Sequence, residues 1–163
     1  MNKLGLFFCF ILAISYAQTT VIDGLDVNEL YDKFTIIAKG MAETTEYKCS
    51  NVLIAKKPVI LPVVEDIMKS LKNEQELTGK IISGGIKLLM VEGLADNCNL
   101  NKLIEVLPTI TKADGIKKMG QNMIDNASNL ETLFKDFTKA TTEDGKLMVV
   151  GKIVAKIVGV SFK

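Results

Sequence analysis

The stretch IISGGIKLLMVEGL, residues 81–94, decides how the rest of the chain must be arranged. Only Ser83, Lys87 and Glu92 interrupt its apolar residues and glycines, so a helix through it would be apolar around most of its circumference and would need other segments to cover it. It is too short to cross a bilayer, because the hydrocarbon core requires about 20 apolar residues. The segment therefore predicts a central apolar helix, about residues 74–95, inside a single-domain, all-α helical bundle.

Three glycines in this segment, Gly84, Gly85 and Gly93, call for a physical reason, because each costs about 1 kcal/mol relative to alanine in a helix. Close approach of a neighbouring helix would explain them, and so would a bend or a cavity beside the helix. For the cavity, we expect a lining of apolar residues and glycines from this helix: Ile81, Gly84, Gly85, Leu88, Leu89 and Gly93.

The first 17 residues have the pattern of a secretory signal peptide: a lysine near the N-terminus, an apolar run and the small-x-small sequence SYA at 15–17. An uncleaved membrane anchor is the alternative, although the polar residues that begin at Gln18 end the apolar run abruptly. We expect residues 1–17 to be removed, which leaves 18–163 as one domain without a transmembrane span. The expected location is extracellular or the lumen of a secretory granule.

The charged residues argue against nucleic acid as a partner. All 20 basic residues are lysines, and one leaves with the signal peptide, so 19 lysines balance 19 acidic residues. A neutral chain has no global field that attracts phosphates. The absence of arginine also removes the side chain favoured for bidentate recognition of phosphate and guanine.

Histidine is absent from the whole sequence. That removes the commonest general base, the usual partner of a nucleophilic serine or cysteine, and the commonest metal ligand. We therefore expect a protein that is not an enzyme and that has no catalytic residues, metal or cofactor.

The cysteines predict one disulfide. Cys9 leaves with the signal peptide, and the even pair that remains, Cys49 and Cys98, would most simply form an intramolecular bond in an oxidising compartment. Two buried free thiols and an intermolecular bridge are the alternatives. The bond would also engage the last soft donors that zinc or an iron-sulfur cluster requires.

Apolar residues at intervals of three and four predict about five to seven helices in total. The first should span about 27–43, with Asp26 as its N-cap. The second should begin near Val59 or Pro62, because proline is tolerated in the first turn of a helix but not deeper, and should end around 72–73.

The region 113–139 is open to two interpretations. Its apolar residues keep a helical spacing throughout, which favours one long helix, whereas Ser128 and Glu131 form a capping-box pattern that would break it near Asn126. Asn126 also begins a glycosylation sequon, Asn126-Ala127-Ser128, which is meaningful only in a secreted chain.

The last segment, 146–162, is predicted to be an amphipathic helix with Lys152, Lys156 and Lys163 along one side. A strand is the competing assignment, because the segment is rich in β-branched residues. These lysines could contact a membrane surface, as in a membrane-active protein. An ordinary bundle helix whose lysines face water is the favoured alternative.

The surplus of aliphatic and methionine side chains suggests two further functions. The protein could bind a lipid or another small apolar ligand in a pocket between its helices. It could instead be a structural or interaction component of a secreted assembly, with apolar faces covered by partner proteins or by self-association. Apolar-ligand binding is the preferred hypothesis.

Overall fold

The computed structural model describes residues 26–70, 74–110 and 112–163, so the predicted signal peptide, 1–17, lies outside the described residues. These residues form nine α-helices and no strand, and the predicted all-α fold is confirmed. The helices are α1 Val27–Gly40, α2 Lys48–Ala55, α3 Lys57–Lys69, α4 Glu74–Leu89, α5 Leu94–Asn97, α6 Leu100–Ile110, α7 Ala113–Asp125, α8 Ala127–Lys139 and α9 Glu143–Val158.

The count exceeds the predicted five to seven because the chain breaks at single residues. Lys56 separates α2 from α3, and Asn126 separates α7 from α8, so the region 113–139 forms two helices rather than one. Helix α3 begins at Lys57, close to the predicted start near Val59, and has Pro58 in its first turn. The alternative start at Pro62 is wrong, because Pro62 lies inside the helix. The short helix α5 follows its own turn at Gly93.

Helices α1 and α9 have the most extensive contact of any helix pair in the described part of the chain. The carboxylate of Asp26 caps α1 as predicted, accepting hydrogen bonds from the backbone N–H groups of Asn28 and Glu29 at 2.9 and 3.2 Å. At the other end of α1, Gly40 meets Gly151 of α9 with backbone against backbone. A methyl group added at Gly40 would lie 1.9 Å from the carbonyl oxygen of Met148. The two helices can be this close only because neither glycine has a side chain.

Helices α3 and α4 form a layer on another side of the molecule. A methyl group added at Gly84 of α4 would lie 2.8 Å from Cδ1 of Ile67 and 3.0 Å from Cγ1 of Val63, so this glycine permits close helix packing. The ammonium of Lys80 also pairs with the carboxylate of Asp66 at 2.7 Å. Both side chains of this pair are exposed to solvent, so the pair contributes little to the stability of the helix contact.

The position of α4 corrects the prediction of a covered central helix. It ends at Leu89 rather than near residue 95, and both Ile86 on its outward side and Met90 just beyond its end are exposed to solvent. Among the residues of α4 whose exposure the structure describes, only Gly84, Gly85 and Leu88 are buried. The neighbouring helices cover one side of α4 and leave the other open.

The C-terminal segment, residues 160–163, is inserted between the ends of three other elements. The N–H of Phe162 donates to the carbonyl of Met41, and the N–H of Lys163 donates to that of Asn97, each at 2.9 Å. Its carbonyls accept in turn from Glu43 and Cys49. Val160 and Phe162 are almost completely buried. This segment therefore fastens the loop after α1 to the region of the disulfide.

The disulfide joins Cys49 in α2 to Cys98 at the end of α5, which confirms the predicted pairing. Both cysteines are buried in the core. The bond spans 49 residues, so it removes considerable freedom from the unfolded chain.

We expect Gly151→Ala to lower the free energy of unfolding by about 3 kcal/mol or more, because its methyl group would lie 2.1 Å from the carbonyl oxygen of Ile37 and force the two helices apart. The control is Gly120→Ala in α7, where no other atom lies within 4 Å of the added methyl group. That change should raise stability by about 0.5–1 kcal/mol. Urea denaturation measures both, and equal effects of the two substitutions would contradict the proposed contact.

We expect the double substitution Cys49→Ala and Cys98→Ala to lower the free energy of unfolding by up to about 4 kcal/mol, because the unfolded chain regains the freedom of the closed loop. Denaturation of both proteins with and without reductant measures this. Reductant should destabilise the wild type and leave the double variant unchanged. A wild type that is insensitive to reduction would show that the bond contributes little.

Candidate apolar ligand cavity

A cavity of about 60 Å³ lies between α1, the helices α2 to α6 and the C-terminal segment. It is partly open to solvent. Its described lining comes from six helices, the disulfide and one residue of the C-terminal segment: Val27, Leu30, Tyr31, Phe34, Cys49, Leu53, Ile60, Val64, Gly85, Leu88, Leu89, Leu94, Cys98, Leu100, Leu103 and Phe162.

The described lining presents only apolar atoms to the cavity. The one lining hydroxyl belongs to Tyr31, and it donates a 2.7 Å hydrogen bond to the carbonyl oxygen of Leu53 in the last turn of α2. Burial, and secondarily the negative charge of Asp32, raise the pKa of Tyr31 above its usual range. The phenol is therefore neutral and directed to the backbone, which leaves the cavity without a described hydrogen-bonding group.

The predicted lining residues fall into separate places. Gly85, Leu88 and Leu89 line the cavity, whereas Gly84 faces α3. Gly93 adopts a positive φ of 77° in the turn before α5, a conformation that glycine favours. The side chain of Ile81 lies outside the part of the chain that the structure describes. Gly85 thus borders the cavity, Gly84 permits close helix packing, and Gly93 forms the turn.

Sequence reasoning did not assign the rest of the lining. Leu30, Tyr31 and Phe34 recur at helical spacing in α1, but periodicity does not distinguish a residue beside a cavity from one in a packed core. No sequence pattern indicated that Phe162 would line the cavity. Its position depends on backbone hydrogen bonds with Met41 and Glu43, which are remote from it in sequence.

The cationic face of α9 is exposed at Lys152 and Lys156, and Lys163 is exposed beyond the end of the helix. The apolar side of α9 packs against α1, α7 and α8, with Val149, Gly151 and Val158 buried. In this arrangement, α9 is a bundle helix whose lysines face water. Contact of the three lysines with a membrane stays a prediction.

Asn126 lies at the junction of α7 and α8 and is half-buried. Its Nδ2 donates to the carbonyl of Asn122 at 2.9 Å, and Ser128 of the sequon is exposed. The amide has a second hydrogen, so a glycan on Nδ2 is compatible with the hydrogen bond. Glycosylation at Asn126 stays a prediction.

Within the described ranges, no three acidic or cysteine side chains are grouped closely enough to hold a metal ion. On the surface, the pKa of Asp66 is lowered mainly by its hydrogen bond and charge interaction with Lys80. No helix in the described part of the chain has the length and apolar character to span a bilayer.

The hydrogen bond of Tyr31 predicts a specific pH dependence. Because the pKa of Tyr31 is raised in the folded protein, its contribution to stability is complete below the unfolded value of about 10 and is lost as the pH rises beyond it. We expect Tyr31→Phe to cost about 1–2 kcal/mol at neutral pH, since the Leu53 carbonyl loses its donor. Urea denaturation near neutrality and near pH 11 should show the difference between wild type and variant shrinking at high pH. A constant difference would contradict the assignment.

Comparison with known proteins finds no match for this chain among family models, curated proteins or solved structures.

Proposed function

We propose that the protein is a secreted, non-enzymatic carrier of a small apolar molecule, which binds in the cavity between α1 and α4. The observation that carries this proposal is the chemistry of the lining, since its described residues offer hydrocarbon and sulfur surfaces and no hydrogen-bonding group. Water in such a cavity would find no hydrogen-bonding partner, so the lining favours an apolar ligand.

The volume of the cavity restricts the size and shape of the ligand. Sites for drug-sized molecules have volumes of about 300–1,000 Å³, well above the volume of this cavity, about 60 Å³. A thin molecule, such as a single hydrocarbon chain, fits these dimensions better than a sterol or another fused-ring compound. Leucine side chains dominate the lining, and their rotamer changes can enlarge the space along a flexible chain.

The lining also determines the orientation of an amphiphilic ligand. A buried polar group without a partner costs about 1–3 kcal/mol by mutational measures, so a polar head would remain outside. Leu89 is the exposed member of the described lining, and with the half-buried Val27 and Leu30 it marks an accessible side of the cavity. We therefore favour a molecule that inserts a hydrocarbon tail between α1 and α4.

Two observations support the extracellular part of the proposal. The N-terminal residues have the pattern of a cleavable signal, and the Cys49–Cys98 bond is of a kind that persists in oxidising compartments. The disulfide also lines the cavity, so the bond that stabilises the fold would hold two of the cavity walls together.

The test uses displacement of a fluorescent dye with a linear hydrocarbon chain, cis-parinaric acid, by saturated fatty acids of increasing length. We expect Gly85→Leu to reduce dye binding at least about tenfold, because Gly85 is the one described lining residue without a side chain and the added isobutyl group would occupy the cavity. The matched control is Gly79→Leu in the same helix, where no other atom lies within 4 Å of an added Cβ.

The control should retain dye binding, and circular dichroism should show that both variants are folded. Leu88→Phe provides a second way to fill the cavity if Gly85→Leu disturbs α4. Absence of dye binding to the wild type, or equal binding by the filled variants and the control, would overturn the proposal.

A structural role in an assembly is the second candidate, and one observation favours it. Apolar side chains that recur at helical spacing along α7 and α8 are exposed, among them Ile116, Met123 and Phe134. A face of this kind can be covered by another protein. Discrete oligomers in analytical ultracentrifugation, with no apolar ligand in native mass spectrometry, would favour this role over that of a carrier.

A further inference from the structure

Helix α4 has two apolar faces with different surroundings. Gly85 and Leu88 line the cavity, while Ile82, Ile86 and Met90 point away from it and are exposed, Met90 by 80% and Ile86 by 56%. We call these three residues the outer face of α4. A surface helix normally has polar residues on its outward side, so an exposed apolar face suggests an environment other than water.

Leu89 lies between the cavity and the solvent-exposed side of α4. It lines the cavity, and it is also 41% exposed beside the outer face of α4. Helix α4 packs mainly against α3 and the short helix α5, and these contacts leave its outer face uncovered. On this side of the molecule, a single helix therefore separates the cavity from the surroundings.

A groove of about 530 Å³ runs beside the outer face, between the start of α3 and the end of α4. Its apolar lining consists of Val59, Val63, Met90 and Val91, and its charged residues are Lys56, Lys87 and Glu92. Lys56 pairs with Glu92 at 3.7 Å, whereas Lys87 has no ion pair with any residue in the described ranges. The groove thus combines an apolar floor with one excess positive charge at its rim.

From this geometry, we propose that the outer face of α4 and the adjoining groove dock onto a lipid bilayer that contains anionic headgroups, and that the apolar ligand passes between bilayer and cavity beside α4. This inference rests on the proposed carrier function. Lysines can keep the ammonium at headgroup level while their methylene chains lie along apolar surface. The attraction of Lys87 to anionic lipid adds to the burial of the apolar side chains.

The position of the surface favours a bilayer over a protein partner. An apolar ligand partitions into membranes, so a carrier must exchange it with an apolar phase. A bilayer docked on α4 places that phase at Leu89, directly next to the cavity. A second copy of the chain or another protein on the same face would instead cover this side of the cavity.

The experiment measures flotation of the full secreted chain with vesicles of phosphatidylcholine and phosphatidylserine, and with vesicles of phosphatidylcholine alone. The test variant is Ile86→Gln with Met90→Gln, two residues that do not line the cavity. The matched control is Met123→Gln with Ile124→Gln in α7, which are 48% and 70% exposed on another helix. We expect the wild type to bind the anionic vesicles more tightly. The test variant should bind them about tenfold less tightly, and the control should bind like the wild type.

Dye binding in water separates this inference from the proposed function. We expect the test variant to bind the dye as the wild type does, because its cavity is unchanged, but to take the dye up from preloaded vesicles about tenfold more slowly. Loss of dye binding by every variant, including the wild type, would overturn the carrier function. Normal dye binding with no vesicle binding by the wild type would overturn the docking surface alone. Equal vesicle binding by test and control variants would overturn it as well, as would a dimer that the test variant abolishes.

Discussion

The fold depends on the contact of two helix backbones at Gly40 and Gly151. Because neither residue has a side chain, α1 and α9 approach until a single added methyl group on either helix would meet a carbonyl oxygen of the other. The left-handed cap at Gly159 then turns the C-terminal segment toward Met41 and Asn97, where its backbone hydrogen bonds connect α1 to the disulfide region. The cavity is bounded by elements that this series of contacts holds in place.

Helix α4 accounts for both proposed activities of the molecule. Its sequence is apolar on nearly all sides, which would normally require burial. Of its residues with a described exposure, however, the fold buries only Gly84, Gly85 and Leu88. These two glycines have different roles: Gly84 lets the helix pack closely against α3, and Gly85 leaves space over the cavity. The uncovered apolar face is then available for a lipid surface.

Much of the architecture could be predicted from the sequence, because it depends on local signals. Helical spacing and the cap at Asp26 located α1, and the even pair of cysteines predicted the bond between Cys49 and Cys98. The covering of α4 could not be predicted, since periodicity identifies an apolar face without showing which neighbour reaches it. Gly151 and Phe162 were missed for the same reason: the contacts that define their roles join residues more than 100 positions apart.

The contribution of Phe162 to the cavity wall has a consequence for biosynthesis. Every other described part of that wall precedes Phe162 in the chain, so the ribosome produces the apolar interior well before the residue that completes it. Contacts of such long sequence separation form late and slow the folding of a domain. The nascent chain therefore carries an incomplete apolar site, which chaperones can cover until Phe162 has emerged and joined it.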